Sequence, residues 1–187
     1  MLDARVSGKD LYRGGLSDDC LHLNICTPEV NSPEQQFPVF FWIHGGGFTV
    51  GSSSEPIYDG AAIAAQGIVV VSINYRLGAL GFMWCDGGDA NCGLWDAVRA
   101  LEWTRENITN FNGDPDNITI AGESAGAGAT ACLVASPVAN KLFRRAIAMS
   151  AVAHCTDDEA TAKMKTDQFS RSLGLSSSDV VSFQQPQ

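Results

Sequence analysis

The chain has 187 residues, 45% of them apolar, 18% charged and 9% aromatic, a globular composition that excludes a disordered or fibrous chain. A chain of this length reads as one domain or one and a half, and such a domain buries roughly 70% of the surface its unfolded chain exposes, enough for a real core. Lys+Arg 12 against Asp+Glu 21 gives a net charge of −9 and a pI near 4.6, a field that repels phosphate backbones and anionic lipid and so argues against nucleic acid or a membrane surface as the main partner.

Met1 to Gly15 mixes charges and glycines and lacks the apolar run of a secretory signal, so the protein is expected either to stay inside the cell or to begin elsewhere. Cys20 to Cys26 alternates apolar and polar residues, as a half-buried strand does. Pro38 to Ile43 and Ile68 to Asn74 are short apolar runs rich in β-branched and aromatic residues, which predicts buried strands. Between them Asp59 to Gln66 opens on a helix-capping residue and stops before Gly67, a short helix. From Gly93 to Phe111 the residues Leu94, Val98, Leu101, Trp103 and Ile108 recur mostly at steps of three and four, the clearest helix in the chain. Asn117 to Ala121 predicts a strand, Gly122 to Gly126 a sharp turn, Ala125 to Ala135 a helix of small residues, and Arg145 to Met149 another strand. Asp158 to Leu173 follows as an exposed helix, before a weakly patterned Ser/Gln-rich tail from Ser176. Strands alternating with helix-length crossovers imply an α/β fold, a mainly parallel sheet with helices on both faces.

No apolar run approaches the roughly 20 residues that span a bilayer. The six cysteines show no CxxC or Cys/His ligand spacing, so no metal is expected, and nothing in the chain calls for a cofactor. Cys85 and Cys92 are a close pair; they fit either a short bridged loop or small buried thiols. Two sequons, at Asn107 and Asn117, are acceptors only in a secreted protein.

Chemistry concentrates at Gly122-Glu123-Ser124-Ala125-Gly126, a G-x-S-x-G between a predicted strand and a predicted helix, the context of a nucleophile elbow. So tight a turn strains the serine backbone and lifts Oγ toward solvent, and the flanking glycines avoid collision. The helix start behind the serine adds partial positive charge. A lone pentapeptide of this kind also arises by chance in a Gly-rich chain. His44-Gly45-Gly46-Gly47, placed just after a predicted strand, is the second element. It matches the HGGG-type loop that completes the oxyanion hole in lipases and esterases. Donors fixed before reaction stabilise the developing oxyanion, and losing one costs roughly 3 to 4 kcal/mol of barrier.

With further blocks in the same order, the chain resembles the type B carboxylesterase and cholinesterase family over about Leu16 to Ser150. The blocks are Ser17-Asp18-Asp19-Cys20-Leu21-His22-Leu23-Asn24, Asn74-Tyr75-Arg76-Leu77-Gly78, Gly81-Phe82, Gly93-Leu94-Trp95-Asp96, Asn107-Ile108 and Gly113-Asp114-Pro115. The resemblance implies an α/β-hydrolase fold and a small carboxylic ester as substrate. It implies Ser124 as the acylated nucleophile, the N–H groups of Gly46, Gly47 and Ala125 as the oxyanion hole, Glu123 as support behind the site, and Arg76 with Asp96 as a structural pair. Cys20 and Asp18 look like halves of a disulfide and an ion pair whose partners would lie upstream. Parents in this family are often secreted or endomembrane proteins; oligomeric state is open. The chain departs from the family at Met149-Ser150-Ala151, where Gln-Ser-Gly is usual, and at Ala97, Asn112 and Leu175.

A serine needs a base and an orienting carboxylate, in the order Ser, Asp/Glu, His for this fold. After Ser124 the sole histidine is His154, which fits a surface or hinge residue better than a base; His22 and His44 lie before the elbow. The expectation is therefore an amino-terminal part of a carboxylesterase domain over 1–187, strong over 16–150, inactive alone for want of its acid and histidine. The alternatives are a non-catalytic cholinesterase-like binding protein, against which the intact Ser124 argues, and a related lipase or peptidase.

Overall fold

The computed structural model describes residues 17, 19–32, 34–84, 90–151 and 156–175. Its strands are β1 (Leu23–Cys26), β2 (Phe37–Ile43), β3 (Val69–Ile73), β4 (Gly113–Glu123) and β5 (Arg145–Met149). Its helices are α1 (Ala61–Ala64), α2 (Gly78–Phe82), α3 (Cys92–Asn107), α4 (Ala125–Ala135) and α5 (Glu159–Ser172), with 3-10 turns at Pro56–Tyr58 and Ile108–Phe111. The strands form one sheet in the order β1-β3-β2-β4-β5. β1 runs antiparallel to β3; every other pairing is parallel, joined by crossovers that carry the helices.

Alternation along the strands separates two faces. Val39, Phe41 and Ile43 of β2, Val69, Val71 and Ile73 of β3, and Ile118 and Ile120 of β4 point to one face. There they bury against Ala97, Val98 and Leu101 of α3 and Ala129 and Leu133 of α4. Each such aliphatic or aromatic side chain stabilises the fold by about 1.5–3 kcal/mol. The other face carries Phe40, Trp42 and Val70, and its cover is thinner than the strand–helix alternation implies. Gly60, at the start of α1, approaches so closely that a Cβ there would stand 2.9 Å from Val70 Cβ. Farther along, Ile147 and Met149 remain 44% and 40% exposed. β5 is exposed along all five residues and forms an edge of the described sheet.

Differences from the sequence reading have local causes. The first helix is shorter than Asp59–Gln66, because the chain enters through a 3-10 turn with Pro56 at its start, and Asp59 Oδ1 accepts from Ala61 N–H at 3.0 Å. The long helix gives way at Asn107 to a 3-10 turn that ends on Asn112 in the left-handed region (φ 59°), a conformation asparagine tolerates. Trp103 is not core: it is 37% exposed and leans on Phe111. α2 carries no periodic signal in five residues and is missed by pattern alone. α5 begins where expected, its cap Asp158 accepting from Thr161 N–H at 2.8 Å. Cys85, His154 and Asp18 lie outside the described residues.

Arg76, just past β3, and Asp96, in α3, hold the exit of the sheet to the long helix. Asp96 accepts from Arg76 N–H at 2.9 Å, from Nε at 2.8 Å and from an Nη at 2.7 Å. The Asp96 side chain is 8% exposed. Asp96→Ala is expected to cost about 2–3 kcal/mol, because a partly buried guanidinium and a backbone N–H both lose their bonds to this carboxylate. Urea unfolding of the variant measures this.

Candidate active site

Ser124 joins β4 to α4 with φ 53° and ψ −118°, a strained conformation for a residue with a side chain, of order 1–3 kcal/mol. The surroundings enforce it. A Cβ on Gly126 would stand 2.1 Å from Ile43 O and 2.8 Å from His44 O, so the first turn of α4 presses directly on the end of β2. A Cβ on Gly122 would stand 2.3 Å from Gly126 C and O. Ser124 N–H donates to Met149 O at 2.9 Å, which ties the elbow to the last residue of β5 through the backbone; the Met149 substitution leaves this bond intact. Ser124 is half-buried, and among the described residues nothing hydrogen-bonds its Oγ.

The glycine loop leaves β2 beside this elbow. A Cβ on Gly45 would stand 3.4 Å from Ser124 Cβ and 3.0 Å from Glu123 Oε2, so the loop passes against both residues. Glu123 is exposed and lays its carboxylate along Gly45. Gly46 and Gly47 have φ of 109° and 62°, and Gly46 O accepts from Thr49 N–H and Val50 N–H, each at 3.1 Å. Among the described residues no acceptor is found for the N–H groups of Gly46 and Gly47, nor for that of Ala125 in the first turn of α4, where no helical acceptor exists. The glycine loop, at Gly45, and the start of α4 thus both lie against the elbow serine.

Of the described histidines, neither stands as a base for Ser124. His22 is exposed beside Asp19. His44 is 1% exposed under the glycine loop, its Nδ1 held 2.8 Å from Gly45 O. Burial pushes its pKa below the ordinary 6.5, with the Gly45 hydrogen bond opposing in part. Below pH 6.5 the unfolded chain takes up a proton at this position that the folded chain refuses, so the associated stability is complete above 6.5 and is lost as pH falls through the folded pKa. Melting curves at pH 7.5 and 5.0 should therefore show a larger loss for the wild type than for His44→Asn, which does not titrate. Equal losses would contradict this.

Two tyrosines at the site were not singled out by motif. Tyr75 is 3% exposed, stacks on the His44 ring at 4.6 Å and donates its O–H to His44 O at 2.8 Å. Tyr58 also stacks near the His44 ring, 6.4 Å between ring centroids. Its pKa is raised by burial and by the carboxylates of Glu55 and Glu123, while a hydrogen bond from Gly45 opposes the shift. The available signal was the aromatic residue following each apolar strand or capping turn, which composition alone does not distinguish from core.

The family model described as "Carboxylesterase family" matches residues 3–185. The chain belongs to the carboxylesterase family. Among its relatives, the para-nitrobenzyl esterase of Bacillus subtilis is 44% identical over 164 residues, covering 85% of this chain and 33% of that protein. The liver carboxylesterase of Sus scrofa is 47% identical over 155 residues, covering 81% and 27%. The acetylcholinesterase of Gallus gallus is 49% identical over 139 residues, covering 72% and 18%. Among solved structures, a PNB esterase superposes with a TM-score of 0.80 at 45% identity, covering 87% of this chain and 35% of that one. The juvenile hormone esterase from Manduca sexta, solved with OTFP covalently attached, gives 0.84 at 34% identity, covering 92% and 34%. These structures share the carboxylesterase family's α/β-hydrolase fold. The chain spans about a third or less of the length of the curated relatives it matches. No helix among the described residues is long and apolar enough to cross a membrane.

Proposed function

We propose that this chain carries the nucleophile and oxyanion half of a serine carboxylesterase site, in a partial family domain over 1–187. Ser124 Oγ attacks the carbonyl carbon of a small carboxylic ester, its proton passing to a base; the alcohol leaves with a proton, and water releases the acid from the acyl-serine. The N–H groups of Gly46, Gly47 and Ala125 stabilise the oxyanion, with Glu123 supporting the loop from behind. The observation that carries this reading is the strained Ser124 at φ 53° with the glycine loop against it at Gly45, where among the described residues the N–H groups of Gly46, Gly47 and Ala125 have no acceptor. The covalently attached compound in the juvenile hormone esterase structure supports a covalent chemistry for that relative.

The acid and histidine are assigned to the part of the relatives that this chain does not span, which makes the 187-residue chain inactive alone. The test is p-nitrophenyl acetate turnover by the isolated chain and by a chimera in which it replaces the matching third of the Bacillus esterase. Background rates alone and turnover in the chimera are expected. Ordinary esterase rates from the isolated chain, lost on Ser124→Ala, would place the base within these residues.

A further inference from the structure

The peptide plane supplies a rule for the glycine loop: in a trans unit the C=O of one residue and the N–H of the next point in opposite directions. A donor that holds the carbonyl of one residue therefore aims the amide of its successor. Three consecutive carbonyls of this loop are held. His44 O takes the Tyr75 hydroxyl at 2.8 Å. Gly45 O lies 2.8 Å from His44 Nδ1, and since a carbonyl can only accept, the imidazole carries its proton on Nδ1. Gly46 O takes the amides of Thr49 and Val50. The amides of Gly46 and Gly47 are turned away from these ties and have no acceptor among the described residues.

We infer that Tyr75 is a positioning residue for the oxyanion amides: its hydroxyl fixes the His44 carbonyl and with it the His44–Gly45 peptide at the root of the loop, on which the Gly46 and Gly47 amides ride, and its ring fixes the His44 imidazole, which holds Gly45 O and so aims the Gly46 N–H. This deepens the esterase reading and rests on it, since the amides matter only if an oxyanion forms there. The geometry leaves His44 little alternative. Its ring is stacked on Tyr75 at 27° between planes. The returning limb of the loop closes over it so tightly that a Cβ on Gly51 would stand 2.6 Å from Nδ1. Its carbonyl is also, after Ile43 O, an atom against which Gly126 packs, 2.8 Å from a Cβ placed there. One hydroxyl thus sits where the nucleophile's helix and the glycine loop meet.

Tyr75→Phe keeps the ring and removes only the donor. In ¹⁵N relaxation of the 187-residue chain, the order parameters of Gly46 and Gly47 are expected to fall from about 0.85 toward 0.6 or below. Amide exchange at Thr49 and Val50 should rise about tenfold, the effect of one lost hydrogen bond, while exchange in β2 and β3 stays unchanged. Unchanged order parameters at Gly46 and Gly47 would overturn the inference, and so would a rise in β2 and β3 exchange equal to that in the loop, which marks Tyr75 as core packing. If the variant does not fold, the wild-type chain still answers: a Tyr75 hydroxyl proton exchanging slowly enough with water to give its own resonance is expected, and its absence overturns the hydroxyl contact. None of these readouts depends on acylation of Ser124, so they fail or succeed separately from the esterase reading.

Discussion

Ser124→Ala in the Bacillus chimera is expected to lower p-nitrophenyl acetate turnover by about a million-fold, the loss found when a serine hydrolase gives up its nucleophile. The size follows from what remains. Binding and the oxyanion donors still act on water's attack, and together they leave roughly 10³–10⁴-fold over the uncatalysed reaction. Loss of an oxyanion donor is a different and smaller effect, raising the barrier by about 3–4 kcal/mol in serine hydrolases, yet no side-chain replacement removes a backbone N–H. The elbow serine is thus the one position where a single atom can be deleted with the geometry kept, because alanine retains the Cβ that already occupies the strained turn.

Gly126→Ala is expected to abolish the native elbow or to destabilise the chain by about 3 kcal/mol or more, beyond the usual range for adding a methyl group to a packed core. The reason is the identity of the obstacle. The new Cβ would meet Ile43 O at 2.1 Å, a backbone atom at the end of the central strand, and no rotamer change relieves it. Gly47→Ala is the internal comparison: its nearest neighbour to a new Cβ is Thr49 Oγ1 at 3.8 Å, leaving only the left-handed φ of 62° to oppose it. That cost is about 1–2 kcal/mol. Thermal melts of the two variants against the wild type separate the clash from the conformational term. A Gly126→Ala chain as stable as Gly47→Ala would contradict the packing described for α4.

Much of this architecture was legible in the residues. α4 and β5 were bounded correctly because Gly126, Pro137 and the short apolar run RAIAM punctuate them without competition. β4 extends beyond Asn117–Ala121 in both directions, because Gly113 pairs with Phe37 across an irregular register that no period-two pattern reveals. The elbow and the glycine loop were visible because both demand glycine at fixed positions for steric reasons. Tyr75 was invisible as a functional residue. It stands in a recognisable block, but a buried tyrosine at a strand end reads as core until its hydroxyl is seen on the His44 carbonyl. Glu123 was placed behind the site by resemblance, and here its exposed carboxylate rests against Gly45. The open edge at Arg145 to Met149 is expected from the partial family domain and not from pattern, since RAIAM reads the same with one neighbour or two, and β5 is exposed along all five residues at an edge of the described sheet. Such edges pair readily with other chains.

The most direct test of the account is where a fluorophosphonate attaches. Peptide mapping by tandem mass spectrometry of the labelled Bacillus chimera should place the phosphonyl group on Ser124 alone, with labelling lost in Ser124→Ala. An adduct on any other residue, or labelling and turnover that survive Ser124→Ala, would contradict it.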